Sequence, residues 1–397
     1  MSRFALAADR IFDGEMFHED SAVIIDGARI AAVAGRSDLD PALPLHDLGH
    51  GILASGFVDV QVNGGGGVLF NARPDVDGLR AIASAHRRFG TTGLLPTIIT
   101  DAPEVLQAGV AAVRAARAQG VPGILGLHAE GPFIDLARRG AHPEQFIRPM
   151  GPADVEWLCA AGCGTLLLTL SPAHAALADI TRLAQAGIIV SLGHSDASAA
   201  LALAALAAGA RGFTHLYNAM SQLGHRAPGM VGAALSHRDS FCGLIADGFH
   251  VDAVALRAAI NAKSPDSLVL VSDAMPPAAG GPDQFELQGR RVSRRNGRLQ
   301  LDDGTLAGCN LTMDAALRHA VTELGVPLAQ ALRMASLNPA RFIRLDHLYG
   351  RIRPGYLASL VHLGDDLGVR ASWIDGGTES KAMPGHGGDR LKLSAMP

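Results

Sequence analysis

Cysteine is scarce, with four in 397 residues. Cys159, Cys163, Cys242 and Cys309 form no C-x-x-C pair and are read as reduced thiols. Charge is also sparse: 18% of residues are charged, and the net charge is −4. No long basic run is present, which argues against nucleic acid as a partner, although a local basic cluster could hold one small anion. No apolar run is long enough to span a bilayer. The longest, AALALAALAAGA after Ser198, reads instead as a small-residue helix packed on a sheet. The opening MSRFALAADRIFDG has no signal-peptide core, so the expected location is the cytoplasm. Short-period repeats and low-complexity tracts are missing as well. What remains is a chain with 48% hydrophobic residues, enough for a large core and against disorder. Its length alone suggests two or three domains.

The pattern changes along the chain. The first 54 residues alternate in short bursts, FALAADRIFDG and SAVIIDGARIAAVAG, which read as strands with a hairpin turn at Asp26-Gly27. RIRPGYLASLVHL and ASWIDGG near the other end look alike. Between them lie eight apolar runs: GFVDVQV, GLLPTII, GILGLHAE, TLLLTL, GIIVSLGH, RGFTH, FCGLIADG and SLVLVSDA. Segments with helical apolar spacing separate the runs, and several end in glycine, the usual residue after a helix. Continuous apolar strands alternating with helices imply a parallel sheet covered by helices. Eight units favour closure, so the expected fold is α/β. A (β/α)8 TIM-like barrel covers residues 55–349, and a small β-sandwich is built from 1–54 and 350–377. The polar, Gly/Pro-punctuated stretch 378–397 is expected to be a tail.

Four residues with acid–base or ligand chemistry stand at the ends of these runs: Glu130, His194, His215 and Asp273. A parallel barrel gathers the C-terminal ends of its strands around one mouth. Two imidazoles and a carboxylate gathered there make a metal site of hydrolytic type with an open position. A further aspartate nearby can move protons. One strand-end histidine alone is more often a structural imidazole bonded to a carbonyl; four such residues on separate strands tip the reading to a metal centre. His46, His86, His237, His319 and His347 fall outside these ends, on expected helices or loops, and read as structural or surface residues. Gly64 to Gly67 lack phosphate-loop spacing and read as a loop that lets a ligand approach the backbone. His225-Arg226 and the segment Asp247 to His250 are better anion contacts, with a plain solvated loop as the alternative for each.

SGFVDVQVNGGGG, LGLHAEGPFI, RRGAH, SLGHSDAS, THLYNAM, ADGFHVD, LVSDA and GTLAGCNLTM run in order along the barrel region. Together they resemble the N-acetylglucosamine-6-phosphate deacetylases of the amidohydrolase superfamily; THLYNAM and HAEGPF are the most specific. The resemblance implies hydrolysis of the acetamide of N-acetyl-D-glucosamine 6-phosphate to glucosamine 6-phosphate and acetate, a step of amino-sugar catabolism. It implies Glu130, His194 and His215 as metal ligands and Asp273 as catalytic acid and base. His142 would lie near the scissile carbonyl. Ala141, Asn218, Ala219 and the turn Leu306, Ala307, Gly308 and Cys309 would line the substrate. Arg226 and His250 would hold the phosphate, in a site shared across a homodimer.

Two departures modify that expectation. Two-metal members of the superfamily carry His-x-His after the first strand, where this chain has Gln61 and Asn63. Neutral amides are poor zinc ligands. One divalent ion per subunit is therefore expected, Zn2+ first, with Fe2+, Co2+ or Mn2+ as alternatives and at most a weak second-metal region at Gln61 and Asn63. Where many relatives read Ala-Pro-Glu after strand four, this chain has Ser171-Pro172-Ala173. The rival activities are deacetylation of the galactosamine epimer or of another N-acyl substrate. A sugar-phosphate sensor is the non-enzymatic rival, but a binder has no use for a proton shuttle such as Asp273.

Overall fold

A computed structural model describes residues 3–380; of the expected tail, residues 381–397 lie outside that range. The eight apolar runs form one sheet of parallel neighbours in chain order. They are β1 (Phe57–Val62), β2 (Thr91–Ile99), β3 (Gly126–Glu130), β4 (Thr165–Leu170), β5 (Ile189–Leu192), β6 (Gly212–Phe213), β7 (Phe241–Leu244) and β8 (Leu268–Leu270). The sheet closes on itself: Val62 pairs in parallel with Ala274 just beyond β8, and the Gly64 N–H donates to the Ala274 carbonyl at 2.9 Å. Every residue of β1, β2 and β3 is buried. One face of each strand fills the barrel and the other lies under helices, which is why the runs are continuously apolar rather than alternating.

The covering helices begin where the sequence offers a cap. Asp75, Ser198 and Asp252 each accept a backbone N–H in the first turn of helices Val76–Arg87, Ala199–Ala207 and Ala253–Ala262. The alanine-rich stretch is thus the third-last of the helices that alternate with the barrel strands, as its small residues suggested. Among the described residues no helix is long and apolar enough to cross a membrane. All four cysteines are free thiols.

Strands from both ends build the small β-structure. Ser21–Asp26 pairs with Arg29–Gly35 around the expected turn, with Gly27 at φ 60°. These two strands, with Arg3–Ala7 and Leu45–Asp47, make a four-stranded sheet. A six-stranded sheet combines Arg10–Phe12, Phe17–Glu19 and Ile52–Ser55 with Leu360–Leu363, Val369–Ile374 and Gly377–Ser380. Leu6, Val23, Ile25 and Ile30 of the first sheet meet Ile11, Leu53, Leu360 and Trp373 of the second in a separate core.

One element was not expected from the sequence. After β8 the chain makes a three-stranded antiparallel sheet, Gln284–Leu287, Arg290–Arg295 and Arg298–Leu301. Its second turn, Asn296-Gly297, has φ 51° and 82°, the left-handed pair that short hairpins favour. That dipeptide was the available signal, masked by a run of arginines with little apolar alternation.

Helix Leu337–Phe342 secures the last barrel strand. Asn338 is fully buried, and its Nδ2 donates to the carbonyls of Pro265 and Leu268, both at 2.8 Å. Asn338→Ala removes a donor from two buried carbonyls at the start of β8. It should lower unfolding free energy by about 1–3 kcal/mol, read as a shift in urea midpoint.

Candidate active site

Glu130 is the last residue of β3, while His194, His215 and Asp273 follow β5, β6 and β8 by two or three residues. The chain must turn sharply there, and His194, His215 and Asp273 adopt φ of 47°, 31° and 48°. Such backbone is strained for non-glycine residues and persists only where the surroundings hold it. Gly131, at φ 87°, relieves the turn after Glu130; a Cβ there would strike the Thr100 hydroxyl.

The four side chains converge. Glu130 Oε1 lies 3.2 Å from His194 Nε2 and 3.0 Å from His215 Nε2, and the two imidazole nitrogens are 3.0 Å apart. All three residues are at most 5% exposed. His194 Nδ1 donates to the Arg138 carbonyl at 2.8 Å, which turns the lone pair of Nε2 toward the cluster. His215 Nδ1 is buried without a partner. Burial alone would raise the Glu130 carboxyl, but the hydrogen bonds and charges of the two histidines hold it well below the ordinary value. Ligands about 2.0–2.2 Å from a tetrahedral ion stand roughly 3.3–3.6 Å apart. The three donor atoms are close to that spacing, and an N, N, O set suits a borderline divalent cation. The cluster fits such an ion.

Asp273 sits beside it. Its Oδ1 accepts from Asn63 Nδ2 at 2.7 Å and Gln61 Nε2 at 3.2 Å, and Gln61 Nε2 also lies 3.1 Å from Glu130 Oε1. The two amides thus occupy the space between the carboxylates with N–H groups. Burial, then the charge of Glu130, pushes Asp273 up to about 6. His142 stands on the loop after β3, with Nδ1 2.8 Å from Thr100 Oγ1 and its ring 4.4 Å from that of His194. Burial, then the charge of His194, holds its pKa well below the ordinary value, so the ring is neutral.

These groups open into a cavity of about 290 Å3. Ala141, His142, Asn218, Ala219, His250, Leu306 and Gly308 line it, with Asn63 and all four strand-end residues. His250 is oriented by Asp247, whose Oδ2 accepts from Nδ1 at 2.7 Å; Cys309 Sγ lies 3.4 Å from the same nitrogen, behind the cavity wall. Ala307 does not line the cavity and packs with Leu287, Val292 and Leu299 of the three-stranded sheet. Arg226 is exposed in the loop after β6 and is not among the residues that line this chain's own cavity. A larger, mostly apolar cavity of about 530 Å3 shares Ile99 with the first, but it contains none of the strand-end groups. Of the histidines set aside, His86 is fully buried against the Gly64 carbonyl, and His46 lies in the strand Leu45–Asp47 rather than a helix or loop.

Other polar residues beneath the site were passed over in the sequence. His128 Nε2 meets Thr169 Oγ1 at 2.8 Å, Thr169 meets Thr214 at 2.6 Å, and Thr214 meets Ser191 at 2.7 Å. This belt crosses β3 to β6 one layer below the cluster. Its signal was the polar residues interrupting apolar runs, as in GLHAE and TLLLTL. Asp59, fully buried and pushed up to about 7 by desolvation, accepts from the Ser272 and Gln61 N–H groups at the barrel seam.

The comparisons with known proteins agree with this geometry. The amidohydrolase family model matches residues 52–378. The N-acetylgalactosamine-6-phosphate deacetylase of Shewanella sp. (strain ANA-3) is 46% identical over 335 residues, 84% of each chain. The crystal structure of N-acetylglucosamine-6-phosphate deacetylase from Pasteurella multocida superposes with a TM-score of 0.93 at 35% identity, covering 96% of this chain and 100% of that one. A mutant of the Mycobacterium smegmatis N-acetyl-D-glucosamine-6-phosphate deacetylase, in complex with N-acetyl-D-glucosamine-6-phosphate, superposes at 0.89 with 32% identity, covering 95% and 99%. A barrel closed around a His, His, Glu cluster, and likeness over nearly the full length of these enzymes, place the chain in the N-acetylglucosamine-6-phosphate deacetylase family of the amidohydrolase superfamily.

Proposed function

We propose that the protein hydrolyses the acetamide of N-acetyl-D-glucosamine 6-phosphate to glucosamine 6-phosphate and acetate. One observation carries the reading: Asp273 and His142 face one small cavity beside a buried Glu130, His194 and His215 cluster. Glu130, His194 and His215 would hold a divalent ion, Zn2+ by preference, which would supply Lewis acidity for attack of water on the amide. Asp273 accepts the proton of that water and returns it to the leaving amine, which is otherwise too basic to depart. His142, whose Nδ1 lies 2.8 Å from Thr100 Oγ1, faces the carbonyl oxygen, and in its Nε2–H tautomer it stabilises that oxygen as negative charge develops. The amide groups of Gln61 and Asn63 hold Asp273 and Glu130 by hydrogen bonds, which leaves little call for a second tight cation.

His250, aligned by Asp247, is the phosphate contact of the chain's own cavity, and Asn218, Ala219, Ala141 and the turn at Leu306 border the sugar. Arg226, exposed and not lining that cavity, fits a role in the partner subunit's site, in a cytoplasmic homodimer. The deacetylation of N-acetyl-D-galactosamine 6-phosphate is the second reading, favoured by the 46% identity to the Shewanella enzyme. The two sugars differ only in configuration at C4.

Acetate release from each epimer, measured side by side, tests the proposal. N-acetyl-D-glucosamine 6-phosphate should be turned over. Chelation should abolish the activity, and about one equivalent of Zn2+ per chain should restore it. Turnover of the galactosamine epimer alone would establish the second reading. No acetate from either substrate with metal present would refute both.

Asp273→Asn should retain metal and bind substrate while losing turnover by at least about 10²-fold, the low end for a general acid and base. Near-normal turnover would move the proton transfer to another group.

Arg226→Ala should weaken the phosphorylated substrate far more than N-acetylglucosamine itself, because the guanidinium fork suits phosphate oxygens. Mixing Asp273→Asn subunits with Arg226→Ala subunits should restore activity, since a hybrid dimer regains one intact site. No recovery despite subunit exchange would assign Arg226 to its own chain.

A further inference from the structure

We propose that the three-stranded sheet after β8 is a strut that sets the position of His142, with Gln288 and Arg290 as its positioning residues. The inference rests on the reading of His142 as the group facing the scissile carbonyl.

His142 has little regular structure to hold it. Between Glu130 and helix Pro152–Cys159 the chain forms only two short 3-10 turns, Leu136–Arg138 and Glu144–Phe146. A side chain on such a segment is placed by whatever grips the backbone around it. The His142 N–H donates to the Arg139 carbonyl at 3.0 Å, and three side-chain contacts add to it. Thr100, just beyond β2, bonds the His142 ring at Nδ1, at 2.8 Å. Arg139 Nη1 donates to the His142 carbonyl at 3.2 Å. Arg290 Nη2 donates to the carbonyl of the preceding residue, Ala141.

The strut also reaches Thr100. Gln288 and Gly289 form the tight turn between the first two strands of the sheet, at φ 51° and 77°. From that turn Gln288 Nε2 donates to the Thr100 carbonyl and to Asp101 Oδ2, both at 2.8 Å. Asp101 Oδ2 accepts from Asn71 Nδ2 as well, at 2.9 Å, and Asn71 brackets the Ile99 peptide with two more hydrogen bonds, at 3.0 and 3.1 Å. One turn of the sheet therefore braces both partners of the contact: the segment carrying Thr100 and the loop carrying His142. The sheet has a rigid seat from which to do this. Leu287, Val292, Leu299 and Leu301 pack on Ile99 and Met275, which are themselves cavity walls.

Neither Gln288 nor Arg290 lines the catalytic cavity. Their effect on turnover must therefore pass through the groups they hold. Placement errors of about 1 Å in a catalytic group can cost on the order of 10²-fold in rate, so loosening one brace should cost less than removing the imidazole.

The test is a double-mutant cycle on the zinc-loaded enzyme, using Arg290→Ala, Gln288→Ala, His142→Asn and the pair Arg290→Ala with His142→Asn. Arg290→Ala and Gln288→Ala should each lower kcat by roughly ten- to hundredfold, with KM, zinc content and melting temperature close to wild type. Arg290→Lys, which keeps a donor for the Ala141 carbonyl, should recover part of the loss. In the His142→Asn background Arg290→Ala should add almost nothing, because contacts in one chain of action are not additive. Wild-type kcat in both Arg290→Ala and Gln288→Ala, with His142→Asn crippled, would overturn the strut and leave the role of His142 intact. Equal losses from Arg290→Ala in both backgrounds would overturn it too, as would a loss that tracks melting temperature and resists Arg290→Lys. Wild-type turnover by His142→Asn would overturn the strut together with the reading beneath it.

Discussion

Everything at the mouth of this barrel depends on three lone-pair donors held within 3.2 Å of one another in a place that water barely reaches. A buried carboxylate and two imidazoles so close are stable only if positive charge is shared among them. A divalent cation would supply that charge. The strain of the strand-end turns belongs to the same constraint. His194, His215 and Asp273 all sit in left-handed backbone, and the closed barrel bears that strain because each strand is pinned by two neighbours.

Around this centre the polar groups fall into layers, each with its own task. The belt from His128 to Ser191 crosses four strands below the cluster, so the floor of the site is hydrogen-bonded rather than apolar. Gln61 and Asn63 tie Asp273 to β1, and the seam between β1 and β8 is closed by Val62, Ala274 and the buried carboxyl of Asp59. Buried polar networks of this kind tolerate little loss, since each missing partner leaves a desolvated group behind. Asp273 and the Glu130, His194 and His215 cluster are thereby held on one rigid frame.

The mouth is finished by segments that are not part of the barrel repeat. The loop after β3 brings His142, the turn after the three-stranded sheet brings Leu306 and Gly308, and the loop after β7 brings His250. His250 is locked by Asp247 of its own segment, which accepts three hydrogen bonds, two from the segment's backbone and one from the ring, whereas His142 is held by Arg139 of its own loop and by Thr100 and, through Ala141, Arg290 from elsewhere in the chain.

Much of this was legible in the residues alone. Strands buried on both faces must be continuously apolar, so the eight runs announced a parallel sheet, and their number announced closure. The chemistry at the strand ends was legible for the same reason: a charged or imidazole residue that ends an apolar run stands out. Glu130, His194, His215 and Asp273 were found that way, and the motifs around them added His142, His250 and Asn218. The three-stranded sheet was missed because its arginine-rich strands bury only one face, against residues far away in sequence. Gln288, Arg290 and Thr100 carry no local mark at all, since an amide, a guanidinium and a hydroxyl acquire meaning only from the group opposite. Ala307 makes the same point in reverse: motif position put it at the substrate, yet its side chain packs into a separate core. The sequence by itself determined which residues could do chemistry and which strands carry them, because side-chain type and apolar periodicity are local properties. Which groups meet across 149 residues, as the Arg290 guanidinium and the Ala141 carbonyl do, was decided by barrel closure and by the seating of the inserted sheet, because hydrogen bonds between distant segments exist only once the chain between them has folded.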